Sequence, residues 1–207
     1  MHNNLRRFVT TALLVAVCLL LGLTPVGYIP IGPVSLTLMC LPVIIGTITQ
    51  GLKTGLVLAF VFGMTSLFSA LGITLVPSLL GTTLIGISVL KAVIVIFIPR
   101  LIIPITTWLV YNAIARRTPK RQKLAVGAGA FVGSLTNTVL FLSILYLLFM
   151  PEIGDLSAAF GTTPELFGGL LVGIGAMNGL PEAAVAMVLC VPIVAALKKY
   201  NKSKMES

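Results

Sequence analysis

The segment at residues 166–197, LFGGLLVGIGAMNGLPEAAVAMVLCVPIVAAL, is apolar throughout except for an amide and a carboxylate near its middle. About 20 apolar residues are enough to cross a bilayer, so the segment predicts a membrane span. An ionisable group at bilayer depth costs at least about 2.5 kcal/mol. On a regular helix Asn178 and Glu182 share one face, and Pro181 leaves the carbonyl of Met177 without its helical donor. We expect this polar group to line a ligand pocket or to be satisfied by a neighbouring helix.

Composition extends this prediction to the whole chain, because 57% of its 207 residues are hydrophobic and only 9% are charged. We therefore predict an all-α polytopic membrane protein with a single integral-membrane domain, 1–207. The net charge of +9 comes from basic residues that flank apolar segments, and the positive-inside rule explains them better than nucleic-acid binding does. The three cysteines lie in apolar segments without paired spacing, so we expect no disulfide framework and no metal site.

The distribution of charge predicts the topology. The apolar segments indicate six spans, at about 8–24, 35–50, 54–71, 93–115, 124–149 and 166–197. Basic residues cluster before the first span, at 115–123 and in the C-terminal tail, whereas the segment 151–165 is acidic. The positive-inside rule then places both termini in the cytoplasm. The segment 72–92 is expected to be an outer loop that partly re-enters the membrane or lies against the bundle.

Polar side chains within the spans are the candidates for ligand binding. Arg100 follows Pro99 near the outer start of a span, and its guanidinium can hold a carboxylate in a bidentate geometry that lysine cannot match. Snorkelling to the headgroups or pairing with Glu182 is the alternative. Thr136 and Asn137 follow small residues spaced four apart, which would place the amide at a close seam between helices. An interhelical hydrogen bond would explain that amide equally well.

Two aromatic residues complete the predicted site. Trp108 lies about two helical turns beyond Arg100 and would form a stacking wall or serve in packing. The prolines and glycines of PVGYIPIGP at 25–33 exclude a regular helix, so this segment predicts a shaped outer loop above a site. Tyr28 in that loop is a candidate substrate contact. Lys91, the other outer cation, is expected to snorkel.

Catalysis is poorly supported by the sequence. The chain has one histidine, His2, and Asp155 is its one aspartate; no phosphate-binding loop of the G-x-x-x-x-G-K-[ST] type is present. A Ser/His/Asp triad, a metal centre or a P-loop ATPase therefore cannot be assembled. An intramembrane enzyme would depend on Glu182 as its acid. We expect a binding protein or carrier that needs no cofactor.

Five short motifs in order resemble one family: GYIPIGP at 27–33, LPVIIG at 41–46, Pro99-Arg100, GSLTNT at 133–138 and NGLPEA at 178–183. Together they resemble the substrate-binding S components of energy-coupling factor (ECF) vitamin transporters, closest to the pantothenate-type branch. The resemblance implies a six-helix bundle in a bacterial cell membrane, with an outward-facing pocket beneath the first loop. It also implies a small-residue motif, matched by Ala12 and Ala16, that docks onto a transmembrane coupling subunit energised by two ABC-type ATPases.

One outer cation and several amides at mid-membrane depth suggest roles for the polar residues in such a site. The substrate would be a small carboxylate, with pantothenate as the leading expectation and Arg100 on its carboxylate. Asn137 and Asn178 would bind hydroxyl or amide groups, while Glu182 would orient Asn178 or accept a hydroxyl hydrogen bond. Pyridoxine, riboflavin or a thiamin precursor is the alternative within the family. Outside it, the alternative is an autonomous secondary transporter with Glu182 as its proton carrier.

Overall fold

Helices dominate the computed structural model, which describes residues 2–31, 34–117 and 121–203, with side chains at 5, 7–27, 37–117 and 121–199. The α-helices are α1 His2–Leu23, α2 Cys40–Gln50, α3 Leu52–Ala70, α4 Leu79–Ile87, α5 Val89–Arg117, α6 Gln122–Leu148, α7 Ile153–Ala159, α8 Pro164–Ile174 and α9 Leu180–Ser203. Short 3-10 turns form at Pro25–Gly27 and Met150–Glu152, and a π-helical turn, Gly175–Gly179, joins α8 to α9. Strands β1 Tyr28–Ile31 and β2 Val34–Thr37 form an antiparallel hairpin between α1 and α2.

Four of the described helical segments are long and apolar enough to cross a membrane: Leu52–Ala70, Val89–Arg117, Gln122–Leu148 and Pro164–Lys199. Two shorter apolar helices, Arg7–Leu23 and Cys40–Gln50, accompany them. The largely helical, membrane-type architecture predicted from composition is therefore confirmed. The count of six crossings and their orientation stay predictions.

The hairpin departs from the all-α prediction and shortens the second predicted span, 35–50. Residues Val34–Thr37 are a strand, and the helix begins only at Cys40. The strand pairs with β1 from Tyr28↔Thr37 to Ile31↔Val34, so alternate residues exchange backbone hydrogen bonds across the hairpin. Its valine and threonine are β-branched residues that favour a strand. Hydropathy alone does not distinguish such a strand from the start of a helix.

The segment 72–92, expected to be an outer loop, contains helix α4, and α5 begins at Val89 instead of 93. The Ser78 hydroxyl accepts a hydrogen bond of 3.0 Å from Gly81 N and so caps α4. Ser69 Oγ donates to Val76 O at 2.9 Å, which ties the connection back onto α3. These side-chain bonds order a segment in which apolar periodicity is weak.

The main apolar core lies between α1, α2, α3, α5, α6 and α9. Ile44, Leu58 and Ile103 are fully buried within it. Packing is closest where α5 meets α6, because a Cβ built on Gly133 would collide with the hydroxyl of Thr107. Small residues allow two backbones to approach closely in lipid. This seam brings α6 against α5, the helix that carries Arg100.

Polar contacts join the helices at one end of the bundle. Arg7 Nη2 donates to Gln50 O at 2.7 Å, which links α1 to the last residue of α2. Lys198 Nζ donates to Tyr111 Oη at 2.6 Å, which links α9 to α5. We call this the basic end, because it carries Arg7, Lys53, Arg116, Arg117, Arg121, Lys123, Lys198 and Lys199.

The opposite end, here called the acidic end, carries Glu152, Asp155 and Glu165. Lys91, expected to snorkel, pairs there with Glu152 at 2.6 Å between Nζ and Oε1, and its Nζ lies 5.6 Å from the ring centroid of Phe149. Partly exposed ion pairs contribute at most about 1 kcal/mol to stability. Lys91 therefore pairs with Glu152 at this end of the bundle.

Candidate functional site

A cavity of about 380 Å³ lies in the half of the bundle toward the acidic end, between β2, α3, α4, α5 and α6. Its walls are mostly apolar, and its polar lining residues among those described are Thr37, Ser66, Ser69, Ser78, Arg100 and Asn137. Arg100 is the one charged side chain in the described lining. Apolar walls with a few converging polar groups are typical of small-molecule sites.

Arg100 is positioned by a proline and two aromatic rings. Its guanidinium carbon lies 4.8 Å from the Phe141 ring centroid and 5.4 Å from that of Phe62. Its Nη1 donates to Val95 O at 3.4 Å. In a regular helix the N–H of residue 99 would bond that carbonyl, but Pro99 has none. The Pro99-Arg100 pair thus frees a carbonyl and supplies the side chain that reaches it.

Asn137 faces the same cavity from α6. Its side chain is only 8% exposed, and within the described part of the chain its Oδ1 is buried without a hydrogen-bond partner. A buried acceptor that lacks a donor costs about 1–3 kcal/mol. A ligand hydroxyl or N–H would remove this cost. Arg100 and Asn137, predicted from sequence as site residues, therefore line one cavity.

Glu182 anchors the hairpin. Its Oε1 accepts hydrogen bonds from both N and Oγ1 of Thr37, each at 2.8 Å, and the residue is 8% exposed. Thr37 ends β2 and lines the cavity, so the carboxylate satisfies a backbone N–H where strand gives way to helix. The described cavity lining includes Thr37 and not Glu182 itself.

Asn178 lies in the π-helical turn Gly175–Gly179, where the sequence had predicted regular helix. Pro181 cannot bond the Met177 carbonyl in the α-helical register, which favours a widened turn. The regular helical spacing from which the sequence analysis argued is therefore interrupted at Asn178. The turn packs against β2 and α6, and Asn178 Oδ1 is buried without a partner among the described residues.

Like Glu182, the predicted site residues Asn178, Thr136 and Trp108 are absent from the cavity lining that the structure describes. Thr136 Oγ1 donates to Val132 O of its own helix at 2.7 Å. Trp108 accepts a 2.9 Å hydrogen bond from Asn112 Nδ2 at its carbonyl. Neither Thr136 nor Trp108 is among the described residues that line the cavity. The side chain of Tyr28 lies outside the described residues.

Sequence reasoning missed the contribution of α3. Phe62, Ser66 and Ser69 recur at helical spacing and all line the cavity. This stripe of hydroxyls beside an aromatic ring, in an otherwise apolar helix, was the available signal. Phe141 lies one turn beyond Asn137 on α6 and could have been found in the same way.

Two comparisons with known proteins agree with this architecture. Residues 6–194 match the family model "ECF transporter, substrate-specific component". The chain is also 33% identical over 177 residues to the pantothenic acid transporter PanT of Lactococcus lactis subsp. cremoris (strain MG1363). The aligned region covers 83% of this chain and 82% of that protein. The family match spans every residue named in the cavity. The chain therefore belongs to the substrate-specific components of ECF transporters, and it is a substrate-binding transporter subunit rather than an enzyme.

Proposed function

We propose that the cavity binds pantothenate, with Arg100 on its carboxylate. The observation that carries this proposal is the single charged side chain of the described lining, which two rings hold in a cavity of about 380 Å³. A relative 33% identical to this chain is a pantothenic acid transporter. Because the lining carries a positive charge in a site of low dielectric, an anionic ligand is favoured over a neutral one.

The remaining polar groups fit the rest of such a ligand. Pantothenate carries an amide and two hydroxyls besides its carboxylate. Asn137 Oδ1 would accept a hydrogen bond from one of these groups, and the hydroxyls of Ser66, Ser69 and Ser78 would donate or accept. Phe62 and Phe141 would exclude water from the guanidinium and so strengthen its interaction with a carboxylate.

The proposed topology has six crossings: α1, β2 with α2, α3, α5, α6, and α8 with α9. The second crossing is discontinuous, because α2 has 11 residues and rises only about 16 Å, against a hydrocarbon core of about 30 Å. Non-helical backbone at that depth is tolerated where protein or a cavity satisfies it. At Thr37 the backbone N–H donates to the Glu182 side chain. We therefore assign Glu182 as a positioning residue for the hairpin above the cavity.

The basic end would face the cytoplasm by the positive-inside rule, so the cavity would open outward from a bacterial cell membrane. Ala12 and Ala16 are exposed on α1, whereas Leu14 and Cys18 on its other face are buried in the bundle. Small residues four apart permit close helix approach. This face would dock onto the transmembrane coupling subunit, and two ABC-type ATPases would supply the energy.

Equilibrium binding of labelled pantothenate to the purified chain in detergent tests this function. We expect saturable one-to-one binding that excess unlabelled pantothenate abolishes and that pyridoxine, riboflavin and thiamin leave unchanged. Binding of another labelled vitamin in its place would discard the substrate assignment. Pantothenate uptake by this chain alone in liposomes, driven by a pH gradient, would instead favour a secondary transporter.

A pair of asparagine variants makes the same assay specific for the cavity. Asn137→Ala removes the buried amide from the lining, and we expect affinity to fall roughly tenfold, the effect of about one hydrogen bond. Asn112→Ala is the matched control, because Asn112 bonds the carbonyl of Trp108 on α5 and is not in the described lining. Equal affinities of the two variants would remove Asn137 from the site.

A further inference from the structure

A second concave site lies at the basic end, between the first turns of α6 and the last turns of α9. It has a volume of about 430 Å³. Its described rim carries Arg121, Lys123 and Lys198, while Val126, Val191 and Val194 form its floor. We call it the basic groove. The substrate cavity lies in the other half of the bundle, so the basic groove is a separate site.

The charge in the basic groove comes from two helices and is not compensated by a described acidic lining residue. Arg121 and Lys123 are exposed at the start of α6. Arg121 is the N-cap residue of α6, and its own side chain, which has no acceptor, does not cap the first turn of this helix. The first N–H groups of a helix favour an anion. The rim cations and the N-terminus of α6 therefore both favour a bound anion.

Lys198 is held in place on the α9 side. Its Nζ donates to Tyr111 Oη at 2.6 Å and lies 4.9 Å from the centroid of that ring. An ammonium group has three donors, so the bond to Tyr111 leaves capacity for a second acceptor. The groove thus presents a fixed cation opposite two exposed ones.

The groove is also graded along the membrane normal. Its cations lie at the ends of α6 and α9, and its valines lie one to two turns deeper, within the segments Gln122–Leu148 and Pro164–Lys199 that are apolar enough to span. A phospholipid has this polarity, with a phosphate at the interface and acyl chains below. An acidic peptide or a free anion would leave the apolar floor without an apolar contact.

We propose that the basic groove is a specific binding site for the headgroup of an anionic phospholipid, with one acyl chain along Val126, Val191 and Val194. Basic pockets between membrane helices are known to take such headgroups. The site would hold one lipid of defined chemistry, in contrast to the general attraction of basic residues to a charged leaflet. A bound lipid there would fasten α6 to α9 at the end opposite the substrate cavity.

Native mass spectrometry of the full chain, with dioleoyl phosphatidylglycerol or dioleoyl phosphatidylcholine added in detergent, tests this proposal. We expect one phosphatidylglycerol to remain bound per chain, with phosphatidylcholine lost under the same conditions. The double variant Arg121→Gln/Lys123→Gln should weaken phosphatidylglycerol retention about tenfold or more, since each cation near the surface contributes to the attraction. The double variant Lys53→Gln/Lys199→Gln removes the same charge at the same end, outside the described groove lining, and should retain the lipid.

Other outcomes overturn the proposal. Equal loss of lipid from both double variants would reduce the effect to general surface charge. Displacement of the lipid by millimolar inorganic phosphate or glycerol phosphate would assign the groove to a free anion. Unchanged lipid retention in Arg121→Gln/Lys123→Gln, together with weaker assembly with the coupling subunit, would assign it to an acidic protein surface. Thermal unfolding of each variant verifies that it is folded.

Discussion

Two prolines and their neighbours define the polar interior at the residue scale. Pro99 withdraws a helical donor from Val95 O, which the Arg100 side chain then bonds. Pro181 does the same for Met177 and adjoins the π-helical turn that contains Asn178. In a hydrocarbon environment each freed carbonyl needs a partner. At Pro99 the freed carbonyl therefore meets a polar side chain of the adjoining residue.

Glu182→Ala tests the anchoring of the hairpin at this scale. The change leaves the partly buried Thr37 N without its acceptor, and we expect the free energy of unfolding to fall by about 1–3 kcal/mol. Hydrogen exchange at residues 34–39 should accelerate. Glu182→Gln keeps one acceptor oxygen and should lie between the alanine variant and the wild type.

Glu165→Ala is the control for this series, because Glu165 is an exposed carboxylate in the first turn of α8. Thermal unfolding in detergent would compare the variants. If Glu182→Ala unfolds at the same temperature as Glu165→Ala and exchanges no faster at the hairpin, Glu182 does not hold the hairpin.

Sequence reasoning singled out charged residues within the spans but not the groups that they contact. Charge and hydropathy singled out Arg100 and Glu182, because a charged group in an apolar span stands out on its own. The partner of Glu182 is Thr37, far away in the chain and on a strand. No periodicity links two such positions, so this contact could be learned only from the fold.

At the element scale, the seam between α5 and α6 places Asn137 against the helix of Arg100. From the small residues spaced four apart before Asn137, sequence reasoning predicted a close seam on this helix, but it did not identify α5 as the partner. It did not find the strand within the second predicted span, since β2 is as apolar as the helix that follows it. Side-chain caps such as Ser78 likewise order α4 without an apolar pattern.

Gly133→Ala tests the seam. The added Cβ would collide with the Thr107 hydroxyl. The threonine side chain is β-branched and therefore stiff, so it cannot rotate aside freely. We expect a loss of roughly 1–3 kcal/mol in unfolding free energy, with weaker pantothenate binding because Asn137 and Arg100 move apart. Gly169→Ala in α8 is the control, since nothing lies within 4 Å of its new Cβ. A Gly133→Ala protein as stable as Gly169→Ala would show that the seam tolerates wider spacing.

At the scale of the whole molecule, the bundle separates three surfaces. The substrate cavity lies toward the acidic end, the basic groove lies at the other end, and Ala12 and Ala16 are exposed along α1. Under the proposed function, substrate binding and docking of the coupling subunit can therefore be disrupted independently. Composition predicted a membrane protein, and charge predicted its polarity, but neither shows where a cavity forms between helices.

The double variant Ala12→Trp/Ala16→Trp tests that independence. Two large side chains would block close approach of another helix, so we expect ATP-dependent uptake in proteoliposomes with the coupling subunit and ATPases to fall to background. Pantothenate binding in detergent should be unchanged. Ala113→Trp on α5, also at an exposed alanine, should support uptake. Normal uptake by the double variant would remove α1 as the docking surface.

The most direct test of the central claim compares pantothenate with pantothenol, in which an alcohol replaces the carboxylate. The measurement is the Kd of each ligand for the wild type and for Arg100→Gln. We expect the wild type to prefer pantothenate by roughly 10- to 100-fold, as for a hydrogen bond to a charged group, and Arg100→Gln to bind both ligands with similar affinity. If Arg100→Gln kept the wild-type preference, Arg100 would not recognise the carboxylate and the proposed site would be wrong.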